Sequence, residues 1–169
     1  MTTVTIADVK PYLNLTTTDN DSLVADVVAQ AEEWVIDRCG PLVSTNLTKR
    51  VERTGCSLML PVYPVLSVTS VTGVDTGTVV TLETDDINLR TGIITPDTWP
   101  SADYAFTVVY VAGRTAVPEQ LRRAVIEMSR YLWRPQRGAG QRQGDAGDNM
   151  AALRMAEFLI QPYAIVRVA

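Results

Sequence analysis

Histidine is absent from this chain of 169 residues. Without an imidazole there is no usual serine or cysteine triad, no histidine base near neutral pH and no histidine-bound catalytic zinc. The two cysteines, Cys39 and Cys56, are too few for a disulfide framework or an all-cysteine metal site. Asp75-Thr76-Gly77 spells the aspartic protease signature. That chemistry needs two such aspartates sharing a proton, so an enzyme is the outside reading and a glycine-bearing turn between two strands the expected one. Gly138-Ala139-Gly140-Gln141-Arg142-Gln143-Gly144 has the glycines of a phosphate loop, but it follows a helix and lacks the lysine. Asp85-Asp86 and Asp19-Asn20-Asp21 lack calcium-loop spacing and a closing glutamate, which leaves turns and caps. The residues predict no catalysis, no cofactor and no metal.

Charge is more informative. Residues 1–113 hold 14 acidic and 6 basic side chains, whereas residues 114–142 hold 7 arginines against Glu119 and Glu127. An acidic body with an arginine band suits contact with a charged partner or a second copy. The same arginines offer a nucleic-acid patch. Spacing argues against it, because Glu119–Arg123 and Arg123–Glu127 are i,i+4 pairs and Glu127–Arg130 is i,i+3, which balances much of the charge within one helix. A nucleic-acid-binding module therefore stands as the rival from another functional class.

Hydrophobic residues make up 46% and charged residues 20%, the profile of a soluble globular protein. No apolar run reaches the roughly 18 residues of a membrane helix. The start, Met1-Thr2-Thr3-Val4-Thr5, has no basic stretch before an apolar one, so no secretory signal is expected. Thr5-Ile6-Ala7-Asp8 is a capping box opening a helix that Pro11 keeps short. Leu23, Val24, Val27, Val28, Ala31, Trp34, Val35 and Cys39 then follow helical spacing from Asp21 until Gly40-Pro41 stops them. Between 42 and 113 threonine, valine and turn residues predict strands over 48–53, 58–60, 65–72, 78–82, 87–89, 93–95 and 104–111, the last central and buried. Pro118 starts another helix with the stripe Leu121, Ala124, Val125, Met128 and Leu132, ending before Pro135. The stretch 136–147 lacks apolar anchors and is expected to be a mobile loop whose Arg137, Gln141, Arg142 and Gln143 contact neighbouring subunits. Asp148 or Asn149 caps a last helix carrying Met150, Leu153, Ala156, Phe158, Leu159 and Ile160. Pro162 ends it. Cys39 is expected in the core. The fold class is α+β: one domain over 1–161, helical at 1–40 and 117–161 with those ends packed together, a β-rich insertion over 42–113, and a tail at 162–169.

Taken in order, these segments resemble the head-to-tail connector or adaptor proteins of long-tailed bacteriophages. Ala7-Asp8-Val9-Lys10-Pro11-Tyr12-Leu13 and the turn Asp19-Asn20-Asp21 before a long helix are similar to the family opening. Leu60-Pro61-Val62-Tyr63-Pro64-Val65-Leu66-Ser67-Val68 resembles its "LPxxPVxSV" strand. Val109-Tyr110-Val111-Ala112-Gly113 followed by Val117-Pro118 and Leu121 resembles its junction from last strand to helix. The resemblance implies a structural virion protein of the neck and no catalytic residues. It further implies a ring, typically twelvefold, between the portal protein and a stopper or tail-completion protein, through which viral DNA passes without sequence-specific binding. The portal contact would fall to the tail, with Tyr163, Ile165, Val166, Arg167 and Val168. Another neck layer, itself a stopper or tail-completion protein, is the nearest alternative. Host cytoplasm during assembly and the virion neck afterwards are the implied locations, with no membrane partner.

Overall fold

A computed structural model of the protein describes residues 3–136 and 145–164. It is mixed helix and sheet, and it divides into two compact units, one of residues 1–39 and 117–169 and the other of residues 40–116.

The helical unit is built from both ends of the chain. Helix α1 (Ile6–Leu13) starts at the capping box: the Thr5 amide donates to Asp8 Oδ2 at 2.9 Å, and the Asp8 amide donates to Thr5 Oγ1 at 3.3 Å. Pro11 lies inside it, and the helix closes after Leu13 with Asn14 in the left-handed region. Helix α2 (Asp21–Cys39) has the predicted bounds and buries Val24, Val27, Val28, Ala31, Val35 and Cys39, while Leu23 of the predicted stripe is exposed. Lys10 of α1 pairs with Asp21 at the start of α2. Helix α3 (Glu119–Gln136) packs against α1 and α2, and helix α4 (Asp145–Ile160) packs along α3. The chain ends its described part in a 3-10 turn, Gln161–Tyr163, where Pro162 stops the α-helix.

Two helix boundaries differ from the sequence reading. Helix α3 continues through Pro135 to Gln136, since a proline in the last turn forfeits one N–H yet has a φ already suited to the helix. Helix α4 begins at Asp145, three residues before the predicted cap. Among its described side chains Ala156 and Ile160 of the predicted stripe are buried together with Ala152, whereas Met150 and Phe158 of that stripe are exposed. Alanines at i and i+4 let α4 lie close to α3, Ile160 completes the buried row, and Leu153 and Leu159 are half-buried.

The second unit is a six-stranded antiparallel sheet in the order β3-β6-β1-β2-β5-β4. Its strands are β1 (Thr45–Thr54), β2 (Ser57–Met59), β3 (Val65–Gly73), β4 (Ile87–Asn88), β5 (Ile93–Ile94) and β6 (Ala105–Ala112). As predicted, the last strand is central: β6 pairs with β1 from Glu52↔Ala105 to Thr45↔Ala112, and with β3 on its other side. Phe106, Val108 and Tyr110 share its fully buried face with Leu58, Leu60, Val71 and Ile94. The expected strand over 78–82 is a correction: only Val79 bridges Thr72, beside a Val80 amide donating to the Val71 carbonyl at 2.8 Å. Pairing stops there because Glu83 turns away, its amide donating to Asp86 Oδ2 at 2.7 Å.

Sequence reasoning passed over Glu32. It is buried on α2, and its Oε1 accepts the Thr3 amide at 2.6 Å, the Thr3 hydroxyl at 2.6 Å and the Val4 amide at 3.1 Å. One carboxylate thus ties the chain's start to the long helix and buries Val4. Glu32→Ala should lower stability by about 1–3 kcal/mol in urea denaturation, because the buried Val4 amide loses its acceptor. Glu32→Gln should recover part of that.

Candidate functional site

The Asp75-Thr76-Gly77 segment is a turn, with Gly77 at φ +69°. The Asp75 side chain is exposed, and the turn is organised by a different carboxylate. Asp103 is buried and accepts the Asp75 amide at 2.9 Å, the Thr76 amide at 3.1 Å and, most closely, the Thr76 hydroxyl. Gly73 makes room for it, since a Cβ there would sit 2.2 Å from Asp103 Oδ2. The Thr76 hydroxyl holds the Asp103 pKa below the ordinary carboxylate value, burial opposes this, and the two amides add to the lowering. This constellation fastens a loop.

The motif segments of the sheet also close on one another. The Gly113 amide donates to the Pro64 carbonyl at 2.8 Å. Gly113 has φ +114°, and a Cβ there would meet the Val43 carbonyl oxygen at 2.1 Å. The "LPxxPVxSV" and "AG" motifs are therefore one packing arrangement. Burial raises the pKa of both Tyr63 and Tyr110 beside it.

Among the described residues, the band's Arg122, Arg123 and Arg130 are paired within the helical unit. Glu127 is 3% exposed and receives Arg130 at 2.6 Å and Arg123 at 3.7 Å. Arg122 reaches Glu119 at 3.3 Å and Asp8 at 3.4 Å, so Glu119 pairs one residue earlier than its i,i+4 spacing suggested. Arg123 also lies over the Tyr12 ring, 6.0 Å from its centroid. In the sheet unit, Arg114 donates to the Pro41 carbonyl at 3.0 Å.

Of the predicted contact residues, Tyr163 is half-buried and its hydroxyl donates to Gln120 Oε1 at 2.7 Å. Ile165, Val166, Arg167 and Val168, and the loop residues Arg137, Gln141, Arg142 and Gln143, lie outside the described residues. The surface that sequence reasoning missed is the outer side of α4, where Met150, Met155 and Phe158 are exposed, Phe158 at 66%. Its signal was Ala152, one turn before Ala156 and two before Ile160, a row that takes the inner face and leaves Met150 and Phe158 outside. Among the described residues no His, Cys, Asp or Glu group is placed to hold a metal, and no helix is long and apolar enough to cross a membrane.

Two tests follow from the Asp103 turn. Gly73→Ala should cost about 1–3 kcal/mol in denaturant melts through overpacking. The lowered native pKa of Asp103 means that its stabilisation is complete above the unfolded value, about 3.9, and is lost as pH falls through the native one. Asp103→Asn should therefore lower the melting temperature at pH 7, and its gap from the unmodified protein should narrow below about pH 4.

No curated protein sequence matches the chain significantly. Its fold is similar to a chain in the neck of an empty GTA particle computed with C6 symmetry, at 20% identity and a TM-score of 0.65, with 97% of this chain and 90% of that one covered. It is likewise similar to a chain in the neck of a native GTA particle computed with C12 symmetry, at 20% identity, a TM-score of 0.66 and the same coverage. The model of one family, Head completion protein, matches residues 2–160. Spanning both the helical unit and the sheet, that match establishes that the chain belongs to the head completion protein family, structural proteins of phage-like heads.

Proposed function

We propose that the chain is a subunit of the head-to-tail adaptor ring in the neck of a phage-like virion. In this reading residues 1–161 act as one connector subunit, the β-rich segment being an insertion between helical ends that pack together. The ring, a dodecamer in the virion, sits between the portal protein and a stopper or tail-completion protein. The observation that carries the reading is the family match over residues 2–160. The C12 and C6 symmetry of the necks with a similar fold supports a ring. The acidic balance of residues 1–113 suits a conduit that lets DNA through, since a basic lumen would bind phosphates and slow passage. No catalytic step belongs to this role.

The tail, with Tyr163, Ile165, Val166, Arg167 and Val168, is assigned to the portal or an adjacent subunit, and Arg137, Gln141, Arg142 and Gln143 to neighbouring subunits. Nothing in their sequence supplies an apolar partner for Ile165, Val166 and Val168, and each such side chain is worth about 1.5–3 kcal/mol when fully buried. Tyr163 already has Gln120, so the informative deletion starts after it.

DNA-filled heads made without this chain should fail to join tails, and adding the purified protein should restore joining. Binding to isolated portal supports the adaptor layer, whereas binding only to a tail protein assigns the chain to another neck layer. Deleting residues 165–169 should leave the melting temperature of the isolated protein within about 1 °C, below the roughly 2–4 °C that 1 kcal/mol gives a chain of this size, while abolishing attachment to heads. A large fall in melting temperature would place those residues in the protein's own core.

A further inference from the structure

We infer that the outer faces of α2 and α4 are the two halves of one interface, through which each copy of the chain joins the next around the ring. The inference rests on the adaptor-ring reading and adds the surfaces that close the ring.

Helix α4 carries bulky apolar side chains on both of its sides. Its inner face is Ala152, Ala156 and Ile160 with Leu153 and Leu159 half-buried beside them, and its outer face still presents Met150, Met155 and Phe158. A helix normally buries its bulky apolar side chains and leaves polar ones outside, so this face is built to be covered. Helix α2 has a second outer face of mixed character, with Ile36 exposed beside Asp26 and Glu33. Both helices pack along α3 and touch each other little, chiefly near Cys39 and Ile160. Their outer faces therefore look away from different flanks of α3.

Charge selects which face meets which. Paired with its own copy across a twofold axis, the α2 face would set acid against acid. Opposite α4 it meets apolar side chains and Arg154, with Glu157 at the edge of that face as the one opposing charge among the described side chains. Arg38, at the end of α2, is occupied over the Trp34 ring at 4.1 Å. The lengths agree, since helices of 19 and 16 residues are about 28 and 24 Å long. A contact between two different faces of the same chain is heterologous, and heterologous contacts generate rings when the rotation closes.

The test uses particles assembled with variant chains in a Cys56→Ser background, which leaves only the buried Cys39. With Ile36→Cys and Phe158→Cys in one chain, a flexible bis-maleimide should give a ladder of multimers of this chain alone. Either cysteine substitution alone should give no multimers. Phe158→Asp and Ile36→Arg should each reduce the heads carrying the chain at least tenfold, with the melting temperature of the isolated protein unchanged because both positions are exposed. Dimers from Phe158→Cys alone would mean a twofold contact and overturn the proposal. So would a link from either position to a different protein, or the absence of a ladder in particles whose rings are visible by electron microscopy. Unmodified particles in which this chain forms no ring would remove the adaptor reading itself.

Discussion

Glu127 is the constraint around which the helical unit is arranged. It lies at 3% exposure on α3, the helix that α1, α2 and α4 all touch. A carboxylate in such a place is tolerable only with charge partners at hand, because removing one partner from a buried pair costs several kcal/mol. Arg123 and Arg130 supply them from the same helix, one turn to either side. Their alkyl stems can cover apolar surface while the guanidinium groups turn to the acid. The arginines nearest the centre of the band are thus structural, and the unit has little positive charge left over from them to offer a phosphate backbone.

The sheet unit obeys a related logic at the level of the backbone. Its organising contacts are places where main chain or a buried carboxylate comes too near for a side chain. Asp103 rests against Gly73 and gathers the donors of the Asp75-Thr76-Gly77 turn. Gly113 ends β6 against the Val43 carbonyl and gives its amide to Pro64. Both contacts lie at the margins of β3 and β6, so the register of the central pair is pinned at each end. A one-residue slip would turn Phe106, Val108 and Tyr110 out of the core, and the pinning excludes it.

Most of this was legible where one local rule decides. The capping box at Thr5, the bounds of α2, the central position of β6 and the turn at Asp75 all follow from short-range chemistry. What escaped depended on partners distant in sequence. Glu32 reads as a solvated helix residue until Thr3 and Val4 fold over it. Asp103 gives no sign of its role because its donors are some 27 and 28 residues away. The stretch 78–82 has the composition of a strand, yet its pairing ends at Val80 once Glu83 and Asp86 satisfy each other. On α4 the error was one of face. Ala156 and Ile160 of the expected stripe do face inward, but Met150 and Phe158, assigned there by hydrophobicity, are exposed, and Ala152 completes the inner row. The arginine band was read correctly in kind, as internally balanced, with Glu119 finding Arg122 in place of Arg123.

That error of face carries the physics of assembly. A subunit that must stay soluble before it joins a ring cannot display one large apolar patch. Dividing the contact between two flanks of one helical unit keeps each patch modest, and the acids on α2 oppose premature pairing of like faces. Every copy in a closed ring uses both faces. Each contact can then be weak by itself, because the last copy to enter is held on two sides at once, and the second engagement is intramolecular. Strength arises from closure and is withheld from the free chain.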